Sequence, residues 1–377
     1  MSLIEFNNLV RFAVSALECG HTSSNLPGEL MERYAAAVPM FPLKIWFANS
    51  RAFVLCSKDE NVPTGCEILS IDGEPIEKIR RKLMLYLASD GRIQTKKNAT
   101  LNNDAFAFLY NLIYGVKTAY QVSLSTEGGN PREVRLKPAK FENTLCPAYK
   151  TGSNGKPLEI AYPATAQAIL TIRTFSKERI ENAGQNFPTF LQTIFQELNQ
   201  RKINNLIIDL RGNGGGDDIY GALLYSYLTA EPFRYFSALE SKSKPVMTAQ
   251  DHPGLAVQQA SKNHFLQNAI VLIDGKTFST AADFCAVARS SGRAVFVGEE
   301  TGGGYEGNNS GGTVRETLPH SGLQIAIPTA RYSNAVNPVK TPGRGIIPEF
   351  ALIPTITDVL EGRDVQLEKA IEVSLDN

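Results

Sequence analysis

Lys276-Thr277-Phe278-Ser279-Thr280-Ala281-Ala282-Asp283 is the stretch on which the reading of this chain turns. It follows an apolar run, Asn268-Ala269-Ile270-Val271-Leu272-Ile273, that predicts a buried strand, and an Asp274-Gly275 turn pair. Behind it Ala281, Phe284, Cys285 and Ala288 recur at i, i+3, i+4 and i+7, which predicts a helix starting at Ser279 or Thr280. Ser279 therefore stands where a strand hands over to a helix, and two readings compete there. Serine is a preferred N-cap, and most serines in this setting only satisfy a backbone donor. The same position also presents a hydroxyl to a cleft, beside free N–H groups of the first helical turn, above all that of Thr280, aimed at any oxyanion formed next to it.

Upstream, Asn205-Leu206-Ile207-Ile208-Asp209-Leu210 predicts a second buried strand. It runs into Arg211-Gly212-Asn213-Gly214-Gly215-Gly216-Asp217-Asp218 and then a helix carrying Ile219, Ala222, Leu223 and Tyr227. Four glycines in five positions let the backbone approach a ligand with its N–H groups unshielded. No Lys-Ser/Thr pair follows, so this is not a P-loop, and the third glycine of a dinucleotide fingerprint would fall on Asp217. Backbone donors aimed at a peptide carbonyl tolerate Asp217 and Asp218 better than a polyphosphate would.

Bulk properties narrow the classes. A chain of 377 residues has room for two or three domains, and its 38 basic and 38 acidic residues cancel, which argues against nucleic acid or anionic membrane as the main partner. No apolar run approaches the length of a membrane span, and Met1-Ser2-Leu3-Ile4-Glu5-Phe6 lacks the layout of a signal peptide. Cys19, Cys56, Cys66, Cys146 and Cys285 are odd in number and contain no C-x-x-C pair, so neither a disulfide framework nor a zinc site is expected. No cofactor or metal is expected elsewhere.

Taken in order, residues 5–18 predict an amphipathic helix that stops at Cys19-Gly20, ahead of a polar His21-Thr22-Ser23-Ser24 loop. A histidine just past a helix end is ordinarily exposed or satisfies the helix dipole. Residues 43–55 predict one or two strands. Gly65 to Ile76 predicts a strand closing in an Asp72-Gly73 turn, followed by a helix through Ile79 and Leu83. This segment resembles a PDZ module, which captures peptides by strand addition, although a second helical stretch from Asp104 to Tyr114 is interposed before the strand Tyr120–Ser125 and no carboxylate-binding loop is evident. Phe141 to Pro157 is turn-rich and marks a boundary. Ala168–Ile172 predicts a strand and Phe187–Leu198 a helix, so the second half reads as α/β. Ser241 to Gln267, with His252 and His264, reads as irregular surface, and His320 as part of a turn.

The glycine loop Asp209 to Gly216, then Thr277 to Asp283, then Val297-Gly298-Glu299-Glu300-Thr301-Gly302-Gly303-Gly304 and finally Gly345-Ile346-Ile347-Pro348-Glu349 resemble, in this order, the tail-specific or C-terminal processing serine peptidases and their tricorn-core relatives. The resemblance covers roughly residues 160–377. It implies a catalytic domain of the Clp-protease and crotonase type, a spiral of ββα units, with a PDZ-like α+β domain. The expected organisation is an N-terminal helical segment (1–42), a PDZ-like domain (43–140) and a catalytic domain (141–377).

By the same resemblance Ser279 aligns with the nucleophile, and the N–H groups of Thr280 and of Gly214 or Gly215 with the oxyanion hole. The tail-specific branch places a lysine base where this chain has Gly304, and no lysine occurs between Lys276 and Lys340. The tricorn-like branch uses a histidine from the N-terminal region, and Cys19-Gly20-His21-Thr22 resembles its Gly-His-Thr loop, which makes His21 the candidate base. Imidazole has a pKa suited both to deprotonating a serine and to reprotonating a leaving amine. The glutamate which that branch places before the Gly-x-x-Pro ending has no counterpart in residues 334–345; Asn337, Glu299 and Glu300 are the candidates for a third group.

The expected activity is serine endopeptidase hydrolysis of peptides or unfolded chains through an acyl-enzyme, in an extracytoplasmic setting that the resemblance implies. The oligomeric state is left open. The competing reading is a weak or inactive relative that binds peptides or an apolar ligand. A crotonase-type acyl-CoA enzyme ranks last, since that reading borrows only the fold.

Overall fold

The computed structural model describes residues 1–125, 129–146 and 155–376. Helix α1 (Leu3–Ser15) starts in a capping box, with Ser2 accepting from the Glu5 N–H and the Glu5 carboxylate accepting from Ser2. It ends three residues earlier than its apolar pattern suggests, and Leu9, Phe12 and Leu17 are exposed.

Residues 40–136 surround one hydrophobic cluster. Strands β1 (Lys44–Ala48), β2 (Arg51–Cys56) and β3 (Glu67–Ile71) form an antiparallel sheet, followed by helices α2 (Ile76–Met84) and α3 (Phe106–Tyr114). Strands β4 (Tyr120–Ser125) and β5 (Arg132–Leu136) complete it, with β4 against β3. A Cys56–Cys146 disulfide, which the cysteine spacing gave no reason to expect, ties β2 to the segment leaving this sheet. Within the expected turn-rich boundary, Pro147, Gly152 and Asn154 lie outside the described residues.

The second half is built on a six-stranded sheet. In chain order its first members are β6 (Leu158–Ala164) and β7 (Gln167–Ile172), then helix α4 (Phe187–Gln200), β8 (Asn205–Asp209) and helix α5 (Asp218–Ser226). Strand β9 (Phe236–Ser241) leaves for another sheet, and β10 (Asn268–Ile273), helix α6 (Thr280–Ser290) and β11 (Val295–Gly298) return to the first. The strands β7, β8, β10 and β11 run parallel, with β6 antiparallel at one edge.

Both faces of that sheet are covered, which explains why its strands read as unbroken apolar runs. Leu206, Ile208, Val271 and Ile273 face the large cluster with Phe195, Phe284 and Cys285, while Ile207, Ile270 and Leu272 face Ala370 and Val373 of the C-terminal helix. The long hairpin β12 (Gly307–Thr317) and β13 (Gln324–Asn334) pairs with β9. The short strand Ser23–Asn25 adds to β13 in antiparallel register, Ser23 opposite Ala326. That pairing carries the His21 loop onto the second half of the molecule.

Candidate active site

The glycine loop leaves β8 at its C-terminal end, the usual place for a ligand in an open parallel sheet. Its shape is fixed from outside. Arg211 pairs with Asp209 and Asp364, and the Gly212 N–H donates to the Asp274 carboxylate. Buried Asn213 donates its amide to Ile172 O at 2.8 Å and accepts the Gly215 N–H on Oδ1 at 2.9 Å. The Gly215 N–H is therefore occupied. Of the two glycines expected to supply an oxyanion donor, Gly214 has the N–H without an acceptor among the described residues, as does Thr280 at the first helical position.

Ser279 sits at φ 55° and ψ −133°, a conformation that L-residues seldom adopt, and its side chain makes no capping hydrogen bond. The capping role that serine most often has at such a position is thus not taken up. Surrounding contacts hold the strain. Asp274 Oδ1 accepts from the N–H groups of Lys276 and Thr277, and Thr277 Oγ1 donates to Leu210 O. The Thr277 carbonyl accepts from Gly302 and Gly303. Thr280 Oγ1 donates to Gly216 O at 2.9 Å, lacing the helix start to the glycine loop.

One turn into α6, Asp283 is fully buried, and burial pushes its carboxyl up to about 7 against the opposing effect of Asn334 and of Asn308, whose amide donates to both oxygens at 3.0 and 3.1 Å. Asp283 belongs to the quoted motif, but its burial has no local sequence signal.

His21 is brought to this turn. Its ring lies 4.4 Å, centroid to centroid, from that of Phe278, the residue preceding Ser279. Burial first, and the charge of Lys96 second, depress the imidazole to about 4, and Nδ1 is buried without a partner among the described residues. Lys96 and Asp90, which nothing in the sequence singled out, complete the surroundings. Asp90 accepts the Gly20 N–H at 2.7 Å, and Lys96 Nζ donates to the Gly20 carbonyl at 3.1 Å.

None of the expected third groups reaches the imidazole. Asn337 bonds to Ser290 at the far end of α6, roughly 15 Å along the helix from Ser279. Glu300 is held by Arg344 at 2.7 Å through both oxygens and by the Gly345 N–H. Glu299 is raised to about 7 by burial and by Asp274. His252 lies in the expected irregular segment but is half-buried: its Nε2 stands 3.0 Å from Asp218 Oδ2 at the start of α5, and Nδ1 accepts the Gly254 N–H. Among the described residues no group of three His, Cys, Asp or Glu is placed to hold a metal.

A cleft of about 280 Å³ is lined by Asp90, Gly304, Asn308, Arg331 and Tyr332 among others, and by none of Ser279, His21, Thr280 or Gly214. No helix of the described residues is long and apolar enough to cross a membrane.

Solved structures share the architecture over nearly the whole chain. Mature CPAF complexed with lactacystin superposes with a TM-score of 0.65 at 16% identity, over 99% of this chain and 88% of that one. Mature CPAF alone gives 0.65 at 15% identity, over 99% and 87%. At such identities the likeness shows the fold, an α/β domain with a PDZ-like one. Residues 167–352, which contain the glycine loop, Ser279 and the Gly302-Gly303-Gly304 turn, match the model of peptidase family S41, and this part of the chain belongs to that family.

Proposed function

We propose that this serine peptidase cleaves peptides or unfolded chains internally, with Ser279 as nucleophile, His21 as general base and the N–H groups of Thr280 and Gly214 as the oxyanion hole. The observation that carries the reading is the strained, uncapped Ser279 packed against Gly215 on one side and next to the residue that His21 stacks on. His21 takes the proton from Ser279 Oγ as the oxygen adds to the peptide carbonyl, and the resulting oxyanion is met by backbone N–H groups. The imidazolium then returns the proton to the departing amine as the C–N bond breaks. Water, deprotonated by the same imidazole, then adds to the acyl carbon, and as the acyl–Oγ bond breaks the imidazolium returns the proton to Ser279 Oγ, freeing the acyl group as a carboxylic acid.

An extracytoplasmic location is supported by the Cys56–Cys146 disulfide, since such bonds persist in oxidising compartments. Incubation with a reduced, alkylated protein should yield internal fragments with wild type and none with Ser279→Ala. Fragmentation undiminished by that change would remove Ser279 from the chemistry.

A further inference from the structure

A histidine base needs something to orient its ring, ordinarily a carboxylate bonded to the other ring nitrogen. Here Nδ1 has no hydrogen-bond partner among the described residues, and the ring is held by other means. Gly20, the residue before His21, is gripped at both ends of its backbone, with its N–H on Asp90 Oδ1 at 2.7 Å and its carbonyl on Lys96 Nζ at 3.1 Å. There is no space for a side chain between the two: a Cβ on Gly20 would fall 2.6 Å from Lys96 Nζ and 2.9 Å from the Phe278 ring. Lys96 Nζ also stands 3.1 Å from the centroid of Phe278, the ring on which His21 rests. One ammonium group thus touches the peptide that carries the candidate base and the ring adjoining the candidate nucleophile.

We propose that Lys96 is the positioning residue of this active site: with Asp90 at the other end of the Gly20 backbone, it locks the Gly20–His21 peptide against Phe278 and keeps a positive charge beside the imidazole. This deepens the reading of His21 as the base and rests on it. Lys96, from the segment after α2, is the charged group acting on His21, and Phe278, from the turn before α6, is the ring it packs against, while Asp90 and Cys19 act on Lys96. Of these only Lys96 is a cation, and burial, partly offset by Asp90 and Cys19, brings it down to about 8, so it stays charged through neutral pH. A carboxylate partner would favour imidazolium; an ammonium neighbour opposes it. The consequence is a base available well into the acid range, with a transition-state imidazolium less stabilised than in a carboxylate-supported site.

Lys96 is not cast as the base itself, because its ammonium donates to Gly20 O and lies over the Phe278 ring. The Lys96→Arg variant separates the two roles, since guanidinium keeps the charge and cannot accept a proton.

The experiment is an NMR titration of the His21 ring in the full chain, assigned with His21→Gln, for wild type, Lys96→Met and Lys96→Arg, alongside the pH dependence of fluorophosphonate reaction at Ser279. Lys96→Met should move the His21 midpoint and the acid limb of labelling upward together by about one pH unit. Lys96→Arg should leave both where they are. An unmoved midpoint in Lys96→Met overturns the proposal, as does a Lys96→Arg protein that titrates normally at His21 but no longer reacts, which would make Lys96 the base. Should Lys96→Met not fold, Lys96→Gln reads the same shift. A shifted His21 in a protein whose wild type never reacts with the probe would keep the clamp and discard the peptidase assignment of Ser279 and His21.

Discussion

A methyl group on Gly215 would stand 2.7 Å from Cβ of Ser279, so these two residues meet at a separation that only hydrogen in place of a side chain allows. Gly215 also has φ +94°, a region unfavourable to any other residue. Gly215→Ala should cost about 1–3 kcal/mol of stability and, by shifting Ser279, lower turnover by about 100-fold or more. Denaturant titration and initial rates on one peptide substrate test both, and an alanine variant with normal rate would mean the glycine loop does not set the nucleophile.

The strain at Ser279 makes a second prediction of opposite sign. Glycine accepts φ 55° and ψ −133° without penalty, so Ser279→Gly should be more stable than Ser279→Ala by about 1–3 kcal/mol while both lack activity. Equal melting temperatures for the two variants would show that the backbone there is relaxed in solution.

Two buried groups of opposite charge type give pH slopes of opposite sign. His21, depressed to about 4, binds fewer protons folded than unfolded, so its contribution to stability falls as the solution is acidified from about 6.5 toward 4. Asp283, raised to about 7, binds more protons folded, so its contribution is complete below the unfolded carboxyl value near 4 and is lost as pH rises toward 7. Relative to wild type, His21→Gln should therefore gain stability at pH 5 over pH 7, and Asp283→Asn should gain at pH 7 over pH 5. Urea midpoints at the two pH values decide this, and parallel behaviour of the two variants would contradict it.

Cys56 and Cys146 close a long loop around the PDZ-like sheet. Removing the bond by Cys56→Ser should cost about 2–5 kcal/mol, seen as a lower melting temperature for that sheet's unfolding, and dithiothreitol should have no further effect on the variant. Wild type melting identically with and without reductant would show that the bond contributes nothing.

The strands, the glycine loop and the Ser279 turn were legible in sequence because each is a local signal: apolar runs, a glycine cluster, helical periodicity behind a small polar residue. The family resemblance added His21, which no local pattern distinguishes from an exposed helix-end histidine. Lys96 was not legible. A lysine in the opening turn of a short helix reads as solvated, and its role exists only because Gly20 is brought to it through the tertiary fold. Asp283 was visible as part of a motif but not as a buried acid, since burial depends on Asn308 arriving from β12. Asn337 illustrates the converse failure: proximity in sequence to the family's closing motif said nothing about the helix length that separates it from Ser279.

The central claim is that Ser279 is made reactive by His21. The most direct measurement is the rate at which a fluorophosphonate probe attaches to Ser279, located by peptide mass spectrometry, in wild-type and His21→Gln proteins of equal stability. The account predicts labelling confined to Ser279 in wild type and slowed by about 100-fold or more in the variant. Labelling at another serine, or the same rate without the imidazole, would contradict it.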